Sequence, residues 1–290
     1  MRLFLVWPYA GRFSAAGPPH RTSRAMALLT FWCGVAALAQ CPPPSPPAGF
    51  PAYCAATVLN SASSLPGALA PNTIASVYGH NLSTITVALT AADLSASGTL
   101  PTRLPGTDTH VLVGGMEAVP YYISPTQINF LIPPNYLPGR TTFTVVSEGR
   151  AGPLLALELL PAAPALFLLD AQTVAATHVD GSVVTTTKPA VPGEIVILWA
   201  TGLGQTTPPV EPGQIPTTAA PLVNGSDFQA LLDGQPVTGE NVLYAGVAPL
   251  FAGLYQINLR LPAGTGLNPE IRIACTGQIS PPQIRLTVQP

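Results

Sequence analysis

Charge is what this sequence has least of. Its 11 lysines and arginines and 13 aspartates and glutamates are 8% of 290 residues, with a net charge of −2 and a single lysine, Lys188. So thin a charge cannot track a phosphate backbone or an anionic bilayer, which excludes nucleic acid as a partner. Cysteine is also scarce, with four in the chain, and none lies in a Cys-x-x-Cys pair or beside a histidine. Zinc and thiol-redox chemistry therefore have no motif to stand on. His-Glu-x-x-His and Gly-x-Ser-x-Gly are absent as well, and His80, His110 and His178 stand apart along the chain. No catalytic residues, cofactor or metal ligands are read from these patterns. No apolar run reaches the roughly 20 residues that a membrane-spanning helix needs.

What the sequence has in quantity is turn punctuation. Its 35 prolines and 26 glycines separate short apolar runs, while hydrophobic residues make up 47% of the chain. Proline and glycine stop helices and shape strand connections, so this pattern belongs to an all-β protein with enough apolar mass for two cores. Helical periodicity is not sustained anywhere past the first 40 residues.

The N-terminal region reads as targeting. Arg21 and Arg24 precede Met26, and the apolar stretch Ala27–Ala39 ends in Ala37-Leu38-Ala39, a small-x-small cleavage signal. Residues 1–39 are expected to be a signal region cleaved after Ala39, with Met26 as the true start. That places the product outside the cytoplasm, secreted or in the cell envelope, with no stable membrane span once the signal is gone. A Pro-rich linker follows over 40–59. Cys41 and Cys54 flank its proline run and are the natural disulfide pair; such a bridge stabilises by about 3 kcal/mol at most. Cys275 then remains as a buried thiol on a late strand.

From residue 60 the chain repeats itself. Gln127-Ile128-Asn129 returns as Gln256-Ile257-Asn258, each copy running on to an apolar residue and a proline. Pro71–Leu82 parallels Pro192–Leu203, with Asn81 and Gly202 matched, the residue types that most easily take positive φ. Gly114-Gly115 and Asp233-Gly234 are two-residue hairpin signals. The second copy carries ten extra residues between Thr238 and Tyr255, a glycine-punctuated aromatic stretch. Strand count and turn spacing predict two tandem immunoglobulin-like β-sandwich domains, 60–162 and 163–290.

These strings, with Pro189-Ala190-Val191-Pro192-Gly193 and Ala200-Thr201-Gly202-Leu203-Gly204, resemble the uncharacterised C-terminal domain family of secreted proteins expanded in Solibacter-like Acidobacteria. The resemblance covers residues 60–290. It implies a bacterial, exported, tandem immunoglobulin-like structure and supplies no catalytic residues.

In each copy the Gln and Asn of the repeated motif fall on one strand face, opposite Ile128/Phe130/Ile132 and Ile257/Leu259/Leu261. The pairs Gln127/Asn129 and Gln256/Asn258 are expected to be structural, bonding the backbone of the preceding loop. Tyr122, Tyr244, Phe251 and Tyr255 are candidate ligand-contact aromatics for a protein or polysaccharide partner. The function expected is a non-catalytic exported module that binds or spaces at the cell surface, envelope or extracellular matrix. A secreted hydrolase, or a carbohydrate-binding accessory fragment of one, is the alternative.

Overall fold

The computed structural model describes residues 47–290, together with the backbone of Arg2–Leu5 and Leu29–Trp32, which form an antiparallel ladder. The expected signal region and Cys41 otherwise lie outside the described residues. From residue 47 onward the chain is all-β, built of four antiparallel sheets that pair into two sandwiches. No strand is shared between the sandwiches.

In the first sandwich one sheet runs in the order Val58–Asn60, Ile74–Tyr78, Gln127–Leu131, Val119–Ile123, Val87–Ala88. The facing sheet is centred on Gly139–Ser147, paired with His110–Val113 on one side and Leu155–Leu159 on the other. Alternation along each strand sends Ala75, Val77, Ile128 and Phe130 inward from one sheet to meet Val111, Val113, Phe143 and Val145 from the other. The Phe130 and Phe143 rings meet at 5.5 Å.

The second sandwich repeats this plan. Ile195–Thr201, Tyr255–Arg260, Val242–Val247 and Ala220–Pro221 follow one another across one sheet, and Gln229–Leu232 and Ile271–Cys275 centre the other. Val196, Leu198, Ile257 and Leu259 face Ala230, Ile271 and Ile273.

The match extends to single residue pairs. Tyr78 stands opposite Gln127 and Ser76 opposite Asn129; Trp199 stands opposite Gln256 and Ile197 opposite Asn258. A bulge lies at the same place in each copy, between Pro120 and Tyr122 and between Val242 and Tyr244, so that Tyr122 faces Asn129 and Tyr244 faces Asn258. Asn81 and Gly202 both take positive φ, 54° and 79°. Both hairpin turns likewise have positive φ at their two central residues.

One expectation needs correction. The linker does not extend to residue 59. Ala52 pairs with His80, Tyr53 is buried in the first core, and Val58–Asn60 is an edge strand. The Tyr53 hydroxyl accepts from the Val145 amide at 2.7 Å and donates to the Pro153 carbonyl at 2.8 Å, so this part of the arm is sewn to the sandwich. Residues 283–288 divide their backbone bonds between both sheets. Arg285 bridges Thr173 on one side and Glu270 on the other, and Val288 bridges Ala190. A segment that closes the edge of a sandwich in this way cannot form one ladder.

Candidate functional site

The two repeated motifs fold alike and are used differently. In both copies the glutamine Nε2 donates to the asparagine Oδ1 two residues on, at 2.6 Å for Gln127–Asn129 and 2.8 Å for Gln256–Asn258. The amides therefore bond each other along the strand face, where the sequence pointed to the backbone of the preceding loop. The i, i+2 spacing of a strand brings two same-face side chains within reach, and two amides supply both a donor and an acceptor.

Around that shared bond the copies part. Gln127 and Asn129 are buried. Gln127 also donates to the Tyr78 hydroxyl at 3.2 Å, Asn129 Oδ1 accepts from Ser76 Oγ at 2.8 Å, and Ser76 bonds Ser61 at 2.7 Å. This is a buried polar network that reaches the loop after the edge strand. Gln256 and Asn258 are half-exposed, and Ile197 stands where Ser76 stands in the first copy. Among the described residues, their mutual bond is the only hydrogen bond their side chains make. That leaves the Gln256 carbonyl and the Asn258 amide group facing outward.

The four candidate aromatics do not share a face. Tyr122 and Tyr244 are half-buried at equivalent positions on separate sandwiches. Tyr244 donates its hydroxyl to the Val247 carbonyl at 2.7 Å. Tyr255 has no exposed surface and belongs to the second core, so it is no contact residue. Its hydroxyl donates to the Gly204 carbonyl and accepts from Asn72 Nδ2 at 3.0 Å, and burial raises its pKa. Phe251 packs at the joint between the sandwiches.

That joint is what the extra residues of the second copy build. Where the first copy turns through Pro125-Thr126, the second continues its hairpin to Val247 and Tyr255 and loops through residues 248–254. Ala248, Ala252 and Leu254 of this loop are buried in a third apolar cluster. It draws Ile74, Leu100, Val119 and Leu131 from the first sandwich and Phe167 and Trp199 from the second. Gly253 sits at φ +73°, and a Cβ there would lie 2.4 Å from Leu131 Cδ1 and 2.9 Å from Ile74 Cγ1. Only a residue without a side chain lets this loop lie so close against the Leu131 and Ile74 side chains.

Hydrogen bonds pin the same contact. Thr201 Oγ1 accepts from the Ile74 amide at 2.9 Å and donates to the Gly253 carbonyl at 2.8 Å. Tyr121 donates to the Ala252 carbonyl at 2.8 Å, and Asn60 Nδ2 to the Ala163 carbonyl at 3.1 Å. Thr201 holds the place that His80 holds in the first copy, and nothing in its sequence position announces the bridging role.

Other chemistry is structural. His178, which looks isolated in sequence, meets Glu194: Nδ1 contacts the Glu194 carboxylate and Nε2 lies 3.2 Å from the Lys188 carbonyl. Both ring nitrogens are thereby engaged within the fold. Among the described residues no three His, Cys, Asp or Glu side chains converge as a metal site would require. Cys54 is disulfide-bonded, with its partner outside the described residues. Cys275 is a free, buried thiol with its pKa pushed up to about 11 by burial. No helix among the described residues is long and apolar enough to cross a membrane.

No family model and no curated protein matches the chain. Solved structures are similar only at a distance. SGBP-B of the Bacteroides ovatus mixed-linkage glucan utilization locus, in complex with a mixed-linkage heptasaccharide, is 12% identical over 76% of this chain and 43% of its own, with a TM-score of 0.30. The plexin A4 extracellular region is 12% identical over 77% of this chain and 15% of its own, with a TM-score of 0.23. The chain thus spans less than half the length of either.

Proposed function

We propose that this chain is an exported, non-catalytic module in which two sandwiches are locked into one rigid body that binds or spaces at the cell surface, envelope or extracellular matrix. The observation that carries the reading is the joint. Sandwiches strung on a linker ordinarily move against each other unless their contact is large and apolar. Here an apolar cluster and several buried hydrogen bonds hold them, and the longest structural departure between the copies is spent on that contact. A fixed angle between two modules is useful to a spacer or a presenter. The disulfide at Cys54 fits an oxidising compartment.

Two measurements test this. Fractionation of bacteria expressing the full chain with a C-terminal tag should recover it outside the cytoplasm, shortened at its N-terminus; an uncleaved cytoplasmic product would contradict export. Small-angle scattering of the purified product should fit one rigid two-lobed particle, and a spread of inter-lobe distances would contradict the locked joint.

A further inference from the structure

We propose that the half-exposed amide pair of the second sandwich, Gln256 and Asn258, is a binding site for a polysaccharide chain. The proposal names a ligand for the module described above and rests on its export.

The register of the sheet places the parts. One cross-strand row holds Ile197, Asn258 and Tyr244; the row before it holds Trp199, Gln256 and Gly246; the row after it begins with Ile195 and Arg260. The first sandwich covers one end of this face, where Trp199 is buried at the joint. Ile195, Tyr244, Gln256 and Asn258 remain partly exposed, as does Ile197, which also packs in part against the joint cluster, and Arg260 is exposed. The face is therefore a shelf beside the joint, with an amide pair flanked by an aliphatic strip on one side and a tyrosine on the other.

The bond from Gln256 Nε2 to Asn258 Oδ1 decides what the pair offers. It fixes both amide planes and leaves an acceptor, Gln256 Oε1, beside a donor, Asn258 Nδ2. Neighbouring hydroxyls of a sugar ring each donate and accept, so one can give to the carbonyl while the next receives from the amide. The C–H face of the ring suits the aliphatic and aromatic flanks. The first copy shows what this motif does when its role is only structural: Ser76, Ser61 and Tyr78 extend the pair into a polar network and both amides are buried. In the second copy Ile197 has removed the serine and the face stays open.

Size favours a sugar chain over a folded partner. Three strands about 4.8 Å apart and three rows about 6.8 Å apart give a shelf on the order of 130 Å². A stable protein interface takes about 800 Å² from each partner. The shelf suits a short run of sugar rings and is too small and too polar to hold a protein by itself.

The test uses the full processed chain and defined hexasaccharides of glucose, xylose and mannose, with nitrogen-15 NMR of the side-chain amide groups as the readout. Binding of at least one oligosaccharide should move the Gln256 and Asn258 amide resonances and leave those of Gln127 and Asn129 in place. The double variant Gln256→Ala/Asn258→Ala should weaken that binding by about tenfold or more, at about 1.4 kcal/mol per tenfold, with unchanged melting temperature. The variant Thr142→Ala, on the exposed face of another sheet, should bind as the parent does. No shift with any of the three sugars, shifts confined to other residues, or equal binding by the folded double variant would each overturn the proposal. Capture of a protein that the double variant fails to hold would overturn it in favour of a protein site. The rigid-body reading survives all of these outcomes, because scattering tests it separately.

Discussion

The first Gln-Ile-Asn strand is roofed and the second is open, although the two share a backbone plan down to the bulge and the strand register around each amide. The difference comes from the surroundings of the motif. Ser76 and Ser61 extend the first amide pair into a network that reaches the loop after the edge strand, whereas Ile197 ends the second at its own two side chains. Duplication therefore preserved the frame and left the face free to diverge. The hairpin beside it diverged further: a two-residue turn in one copy became, in the other, the wedge that holds the copies together.

Several substitutions would break or sharpen this comparison. Equivalent core truncations should cost most and should cost alike: Phe130→Ala about 3–5 kcal/mol and Leu259→Ala about 2–5 kcal/mol in denaturant titrations. A cost below about 1 kcal/mol at either site would show that the two cores are not equivalent. Gly253→Val forces a side chain into Leu131 and Ile74 at a positive φ, and should destabilise by about 1–3 kcal/mol. It should also separate the melting of the two sandwiches in calorimetry. Asn129→Ala leaves Gln127 and Ser76 with lost partners in a buried network and should cost about 1–3 kcal/mol. Asn258→Ala, half-exposed, should stay within about 0.5 kcal/mol. Equal costs for this pair would contradict the contrast between a roofed and an open face.

The smallest effect concerns pH. Hydrogen bonds from Arg103 and Thr102 hold the Glu117 carboxyl below the ordinary range. A depressed carboxyl contributes stability above its usual pKa and loses it as pH falls through the folded value. Acid titration of Arg103→Ala should therefore show a shallower loss of stability below pH 4 than the parent. A steeper loss would contradict the assignment.

Much of this architecture was legible in the sequence, for physical reasons that can be named. Paired strands of one length, turns that demand positive φ, and an inward-facing apolar alternation are local signals. Asn81 and Gly202, the two hairpin turns and the Ile128 and Ile257 faces all came through on them. The joint was not legible. Ala252, Gly253 and Leu254 look like any apolar turn, and Thr201 like a strand end; their partners Ile74, Leu131 and Tyr121 lie more than 100 positions away. The openness of the second amide pair was hidden for the same reason, since it depends on which residue faces it across the sheet. Tyr255 misled in the other direction: an aromatic beside a glycine-rich loop looks like a contact residue until its hydroxyl is found bonded inside the core.

The most direct test of the account is to remove the wedge and keep both sandwiches. Residues 248–254 would be replaced by Asn-Gly, a two-residue turn that suits the Val247 and Tyr255 strand ends. The product would then be followed by calorimetry and small-angle scattering. The account predicts two separate unfolding transitions and a larger radius of gyration with inter-lobe freedom. A single transition with the parent's dimensions would contradict it.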